Sequence, residues 1–549
     1  MILAQLVVIM AGKISGIKPI KHWTIYLCAL FLARLVLAAD VPIWTDVYWG
    51  INGWTNISPA LQITSASDQY VTISWASRPE FISDFTLETT SNLENPVWNP
   101  ISATGITSTT TLSKVKTSGY AGFFKLKGPA AYIPLFSFAI FYNKELEFTW
   151  AAPMLINGPV HANGPIYTGV GSTSSLTYNS TVTTSSTITN KSLGGYQVSQ
   201  MTGPITYNGN PPFATNTLPL MIWTATNSLH GLIEMPPPGE DPSSDIGMRR
   251  FFNQAGMVLL ISNTTVSAIL RADQNDIYPS NIVTDINNVN VSRYFPFLTI
   301  TNTFYDGRES KTVKATQIDV GLLKSWAVTN TWFRSKLPFG GLFWDQVIYV
   351  ADCRTVTASQ MTAVRLFNAA QLPNFTGSLF GSGFTLATLN PLYIWGNYNC
   401  PNPADLGTTN TASTLPSALI CDALTILSPS WMDASSTASL GSRNPSATTI
   451  NAAVIAGSVY TTGTDYSTFS GGVHNLMRLL EDWNTGIRLT INGSLVNLYS
   501  SQIATNQFQL PGVYYNAPSR RFSFDPNFYD PAKMPPFTPL VRLYPSTGY

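Results

Sequence analysis

Charge is scarce in this sequence: Asp, Glu, Lys and Arg make up only 11% of its 549 residues. So low a share excludes the composition of charge-rich helical bundles and disordered tails. Histidine and cysteine number four each. With no HExxH and no zinc-type cysteine spacing, nothing marks a metal centre. A P-loop, a GxSxG elbow and a GxGxxG in a strand–helix setting are missing too, which removes the common nucleotide and serine-nucleophile signatures. No cofactor is expected. Past the first forty residues, no apolar run is long enough to span a membrane.

Aromatic mass is plentiful, with 24 Tyr, 28 Phe and 14 Trp, and Ser, Thr, Asn, Gly and Pro are abundant. That mixture suits an extracellular, mainly β protein whose many turns consume Gly, Pro and Asn. A short motif recurs near both ends of the chain. It reads Ile156-Asn157-Gly158-Pro159-Val160, Ile450-Asn451-Ala452-Ala453-Val454 and Ile491-Asn492-Gly493-Ser494-Leu495. Side chains alternate along a strand, so residues one, three and five share a face and Asn is expected on the outer one. Repeated short strands of this kind fit stacked coils, as in a parallel β-helix.

The N-terminus reads as a Sec-type signal peptide. Lys13, Lys18 and Lys21 precede the apolar run Trp23 to Ala39, broken by Arg34, with small residues for a cut after Ala38. A short membrane anchor is the competing reading, and Met10 is an alternative start. Four of the 30 Lys and Arg and none of the 29 Asp and Glu lie in 1–38. The remainder carries 26 cations against 29 anions, a net of −3, which argues against a nucleic-acid partner. Cys353, Cys400 and Cys421 stay behind. Either Cys400 and Cys421 pair, or all three are buried free thiols.

After a Trp-rich lead-in (39–60), residues 61–128 alternate as in a small β-sandwich, with strands at Tyr70–Trp75, Phe85–Thr89, Val97–Trp98, Thr110–Leu112 and Gly122–Leu126. A β-helix-like body follows in two parts, 130–240 and 386–510. Its 171–192 stretch, rich in Ser, Thr and Val, reads as rungs. The 241–385 segment between the two parts reads as an α/β insertion. It has a helix capped by Ser244 with Met248, Phe251, Phe252 and Ala255 on one face, and a second helix over Asp319–Ala327. Leu476, Leu479, Leu480 and Trp483 follow i, i+3, i+4, i+7 and predict an amphipathic helix from His474 to Trp483. The tail, 511–549, reads as irregular.

The sandwich stretch resembles a fibronectin-type-III-like module of secreted bacterial proteins, through Ser74-Trp75, Phe85 to Leu93, Trp98 and Phe123 to Leu126. Residues 155–167, Leu-Ile-Asn-Gly-Pro-Val-His-Ala-Asn-Gly-Pro-Ile-Tyr, resemble a stretch of PilX-like, pilus-assembly-related bacterial envelope proteins. So do Phe304 to Glu309, Asn390 to Asn397, Ser470 to Asn475 and Ile491 to Val496. The likeness covers about 130–540 and implies a pilus-related place in the cell envelope. It carries no activity, and the Sec-type signal departs from a pilin's uncleaved N-terminal helix.

The chemistry-bearing residues are few. His161, facing away from the apolar row, is expected in a surface stripe with Asn157 and Asn163; His230 and His474 stand alone. Carboxylate pairs of the kind that cut glycosidic bonds are Asp306 with Glu309, Asp345 with Asp352, and Glu481 with Asp482. The first pair is expected in local salt bridges beside Arg308, and the last solvated at a helix end. Asp273-Gln274-Asn275-Asp276 reads as a turn or a weak calcium loop. No catalytic, cofactor-binding or metal residue is assigned.

The expectation is therefore a secreted or cell-surface, non-enzymatic structural or adhesive protein on the bacterial outer surface or in the periplasm. Its partners would be envelope proteins or surface polysaccharide. The alternative is a polysaccharide-active β-helix lyase or glycoside hydrolase carrying an accessory sandwich.

Overall fold

The computed structural model describes residues 131–543 apart from 151–152, 191–197, 210, 216, 221–227, 272–279, 287–290, 292–293, 332–346, 374–382, 464–467, 469, 471, 485 and 509–512, and before residue 131 only strands. The signal-peptide reading, the lead-in, Asp345 and the 273–276 loop thus lie outside the described residues, save for one strand, Val7–Ile9. The chain divides into two compact units, Met1–Ile133 with Arg542–Tyr549, and Pro134–Val541. It is mainly β throughout.

The first unit holds two antiparallel sheets. Tyr70–Ala76 pairs with Gln62–Ala66 and Thr110–Lys116. Thr86–Thr90 pairs with Asn99–Ile101 and Gly122–Lys127, and the last takes Val7–Ile9 on its other side. The strand expected at Val97–Trp98 sits slightly later, at Asn99–Ile101.

In the second unit the N-terminal part forms three parallel stacks. One holds Ile140–Tyr142, Val160–Ala162, Val182–Thr184 and Phe213–Ala214. The second holds Leu146–Thr149, Ile166–Gly169 and Ile188–Thr189, and the third Met154–Ile156, Leu176–Tyr178 and Ile205–Tyr207. Successive circuits match Ile140 to Val160 and Val160 to Val182. Val160, Ile166, Leu176 and Val182 are wholly buried, so each circuit adds a layer of apolar filling. Gly-Pro dipeptides turn the corners. Proline has no N–H to give but its carbonyl still accepts, and Ala139 N, Leu146 N and Leu176 N donate to Pro159 O, Pro165 O and Pro204 O at 2.8, 2.9 and 3.1 Å.

Later strands extend the first stack. Met257–Ile261, Val347–Asp352, Phe384–Thr388, Ser417–Cys421, Thr448–Ala456 and Arg488–Asn497 pair in parallel in that order. The last then pairs through Leu495–Asn497 with Ile140–Tyr142. Both faces of these later strands are buried, and their run of Val, Ile, Leu and Ala is what a parallel sheet covered on both sides requires. A second parallel ladder holds Lys311–Asp319, Gln360–Ala369, Leu392–Tyr398, Leu424–Leu427 and Met477–Leu479, edged by the antiparallel strand Leu298–Asp306.

The layer beyond Arg488–Asn497 is assembled from opposite ends of the chain. Ser519–Phe524 continues its first half and Ile140–Tyr142 its second. Leu495 N donates to Ala139 O and Asn143 N to Asn497 O, both at 2.9 Å, and Ser494 Oγ to Phe138 O at 2.6 Å. The two later motif copies stack in register, Ile450 on Ile491, Asn451 on Asn492 and Ala452 on Gly493.

Several expectations are corrected. Asn451 and Asn492 are not on an outer face: they are 3% and 1% exposed, because the strands are covered on both sides. Asn492 Nδ2 donates to Asn451 Oδ1 at 2.8 Å, and Asn451 Nδ2 to Asn399 O at 2.9 Å. The asparagines of the Asn157, Asn179 and Asn208 column, by contrast, are exposed to solvent. The helix expected over His474–Trp483 is a 3-10 turn, Gly472–Asn475, followed by the strand Met477–Leu479. Residues 476–481 are all buried, so the helical spacing there was not the mark of one wet and one dry face. The 241–385 segment is not set apart, since Met257–Ile261 and Val347–Asp352 belong to the main ladder. Its second helix is present as Val320–Thr329, capped by Asp319 accepting from Leu322 N, with Val320, Leu323 and Trp326 inward. The one after Ser244 is broken at Arg250 into a 3-10 turn and a single α turn.

Candidate functional site

Most of the candidate chemistry is spent inside the body. Asp306 ends the strand Leu298–Asp306 and folds its carboxylate back on the turn. Oδ1 accepts from Arg308 N and Glu309 N at 2.8 and 2.9 Å, and Oδ2 from Tyr393 Oη at 2.5 Å. Glu309 receives Arg478 Nη1 at 2.6 Å and Asn506 N at 3.1 Å. Arg308 Nε lies 3.9 Å from Glu309 and donates, with Nη2, to Asn506 O. All four side chains are at most 3% exposed. The salt bridges expected at this turn exist, but they are buried and reach Arg478, 169 residues away.

The same network continues to a histidine. Asp422, just past the strand Ser417–Cys421, accepts from the backbone N–H of Gln502, Ile503 and Ala504 at 2.5, 3.2 and 3.0 Å and lies 3.1 Å from His230 Nε2. His230 Nδ1 lies 2.8 Å from Glu234. Arg478 Nη2 donates to Ala504 O at 2.6 Å. The loop 501–506 is thus held by Asp422, Arg478 and Glu309 at once. Burial disfavours charge on Asp422, but hydrogen bonds from His230, Gln502 and Ala504 outweigh it and hold its carboxyl below the usual range. Burial also opposes charge on His230, yet its bonds to Asp422 and Glu234 leave the imidazole pKa raised.

The other candidates scatter. Asp352 faces Arg354, at 2.9 Å to Nε and 2.6 Å to Nη2, and accepts from Thr316 Oγ1 at 2.8 Å. Glu481 is not solvated: it is 1% exposed and takes Ser428 N and Oγ at 2.7 and 2.6 Å, with its pKa pushed up by burial. Asp482 accepts from Asn516 Nδ2 at 2.8 Å. His161 is not in a surface stripe. It is 1% exposed, with Nδ1 2.8 Å from Thr183 Oγ1, Nε2 3.0 Å from Asn163 Oδ1, and its ring stacked on Phe141 at 5.5 Å. Burial lowers its pKa to about 4, so it is neutral. The side chain of His474 is outside the described residues. Cys353, Cys400 and Cys421 are free thiols, so the Cys400–Cys421 pairing is not made, and Cys353 is exposed where a buried thiol was the alternative.

Two features escaped sequence reasoning. No spacing signal links His230 to Asp422, which lie 192 residues apart. The other carried a signal: Leu176-Thr-Tyr-Asn-Ser180 and Ile205-Thr-Tyr-Asn-Gly209 are copies of one rung. They place Tyr207 on Tyr178, ring to ring at 5.1 Å and 4°. Tyr207 lines an open polar groove of about 360 Å³ with Thr184, Ser186, Ile188, Asn190, Pro212 and Ala214.

Among the described residues, no group of three or more His, Cys, Asp or Glu could hold a metal ion, and no helix is long and apolar enough to cross a membrane. No protein-family model, no curated protein and no solved structure matches this chain.

Proposed function

We propose that this chain is an exported, non-catalytic structural or adhesive protein of the bacterial cell envelope, with a pilus-related role. In this reading residues 61–128 are a fibronectin-III-like sandwich, and a β-helix-like body follows. One observation carries it: Asp306, Glu309, Asp352 and Glu481 are buried and engaged in holding loops to the strands, while Asp482 is half-buried. Asp306 and Glu309 clamp a turn and the 501–506 loop, Asp352 holds Arg354, and Glu481 anchors Ser428. A glycosidase needs two carboxyl groups facing one sugar across a cleft, whereas a scaffold needs its charges paired. Further support comes from the three parallel stacks, the asparagine columns and the resemblance of 155–167 to PilX-like proteins. The leader then carries the chain out of the cytoplasm and is removed after Ala38.

The test is a polysaccharide panel incubated with purified 39–549. Retention on envelope material or polysaccharide without new sugar ends is the expected outcome. Release of unsaturated or reducing ends refutes the non-catalytic reading in favour of a polysaccharide-active enzyme.

A further inference from the structure

We propose that the groove beside Tyr207 is a binding site for a neutral oligosaccharide. At about 360 Å³ it falls in the range of roughly 300–1,000 Å³ typical of small-molecule sites. Among the described residues, none of the lining side chains is charged at neutral pH. They are a hydroxyl (Ser186), an amide (Asn190), the ring of Tyr207, whose Oη is buried, the buried Thr184, and apolar Ile188, Pro212 and Ala214. That set offers nothing to neutralise a phosphate, a uronate or an ammonium group, and it is too polar for a purely apolar ligand. A sugar ring matches it, with an apolar C–H face to lie on an aromatic ring and hydroxyls to exchange hydrogen bonds.

The polar groups are held in place. Asn190 Oδ1 accepts from Thr168 Oγ1 at 2.9 Å, so the amide presents its Nδ2 donors. Buried Thr184 Oγ1 donates to Gly164 O and accepts from Ser186 N at 3.1 Å, which fixes the turn that carries Ser186. Tyr207 belongs to the last strand of its stack, Ile205–Tyr207, and one ring face packs on Tyr178. A ring backed by a parallel ring loses little freedom when a ligand lies on it. The inference rests on the adhesive reading in one respect, that binding occurs without turnover.

The experiment is calorimetric titration of the full chain with neutral tetrasaccharides (β-glucan, α-glucan, chitin and xylan types) and with an oligogalacturonate. One neutral class is expected to bind, with an affinity unchanged between ~0.05 and ~0.5 M salt because no ion pair contributes. Tyr207→Ala weakens binding roughly tenfold, while Tyr207→Phe keeps the stacking surface and most of the affinity. Ser186→Trp abolishes binding by filling the groove without removing a packed ring, and melting curves check that each variant is folded. The inference is overturned if no neutral oligosaccharide binds, if the anionic one binds in a salt-sensitive manner, or if folded Tyr207→Ala and Ser186→Trp bind as the parent does. Concentration-dependent dimerisation that blocks the sugars would likewise overturn it, since a second copy would then be the occupant. Sugar-end release refutes the non-catalytic reading and leaves the groove standing; absence of binding does the reverse.

Discussion

The buried asparagine column stops one residue short. Asn492 Nδ2 donates to Asn451 Oδ1, as Asn179 donates to Asn157 and Asn208 to Asn179, so the later residue gives to the earlier one each time. Asn492 Oδ1 is buried and has no partner. The residue opposite it on the next strand is Ser523, whose short side chain turns to Phe524 O at 3.5 Å. Ser523→Asn puts an amide donor at that position with the polarity the column already has. An unsatisfied buried acceptor costs about 1–3 kcal/mol. Ordering one more amide side chain takes back about 1 kcal/mol. The substitution should therefore stabilise the protein by up to about 2 kcal/mol, with about 1 kcal/mol at the middle of that range. A small cavity of about 20 Å³ beside Ser523, Phe522 and Asn157 takes up part of the added bulk. The measurement is guanidinium unfolding, reading the midpoint at constant slope, in a cycle with Asn492→Ala. The predicted gain appears only with Asn492 present, a coupling of at least ~0.5 kcal/mol. A lowered midpoint, or the same gain in the Asn492→Ala background, would refute the ladder argument.

Three further outcomes are expected. Gly493→Ala drives a methyl group into the Ala452 carbonyl of the neighbouring strand and should destabilise by about 1–3 kcal/mol or more, whereas Ala452→Gly should cost under ~1 kcal/mol; equal midpoints for the two variants would contradict this. Arg478→Met strands Glu309 in the interior and should cost about 3–5 kcal/mol; adding Glu309→Gln should recover part of the loss, and strictly additive losses would show that the two are not coupled. His230 has a folded pKa raised above its ordinary value, so its contribution is complete below about pH 6.5 and fades as pH rises through the folded value. His230→Gln should flatten that fall in stability; an unchanged slope there would sink the assignment. Asp422 acts at the other end, its folded pKa being held down, so its contribution is lost only as pH falls through that value.

The sequence made some of this legible and hid the rest for identifiable reasons. The recurring Ile-Asn motif marked the two later copies as neighbours, because in-register stacking favours the same residue sizes in successive strands: Ile450 lies on Ile491 and Ala452 on Gly493. The copy at 156–160 stacks on other strands, and the two ends meet through Ile140–Tyr142 instead. The helix Val320–Thr329 was readable because Asp319 supplies a capping side chain and one face is apolar. The stretch 474–483 misled because residues 476–481 are all buried, and Arg478 and Glu481 reach partners in distant loops. Period-two reasoning sent Asn451 and His161 outward, yet both faces of their strands are covered. The grouping of His230, Asp422, Arg478 and Glu309 depends on loops that meet only in the folded body. The Tyr207 groove was within reach of the sequence, had the two Thr-Tyr-Asn rungs been aligned.

The layer shared by Ile140–Tyr142 and Arg488–Asn497 also sets an order of events during synthesis. Phe138 leaves the ribosome 356 residues ahead of Ser494, its hydrogen-bonding partner. At about 5–20 residues per second that is a wait of roughly 20–70 s. Until then the Ile140–Tyr142 edge lacks its native partner, Leu495–Asn497. Unpaired edges invite aggregation, and this one is closed only once Leu495–Asn497 is in place. Truncation anywhere before residue 497 would leave that edge open permanently. The final tenth of the chain therefore acts as the lock for the part that was made first.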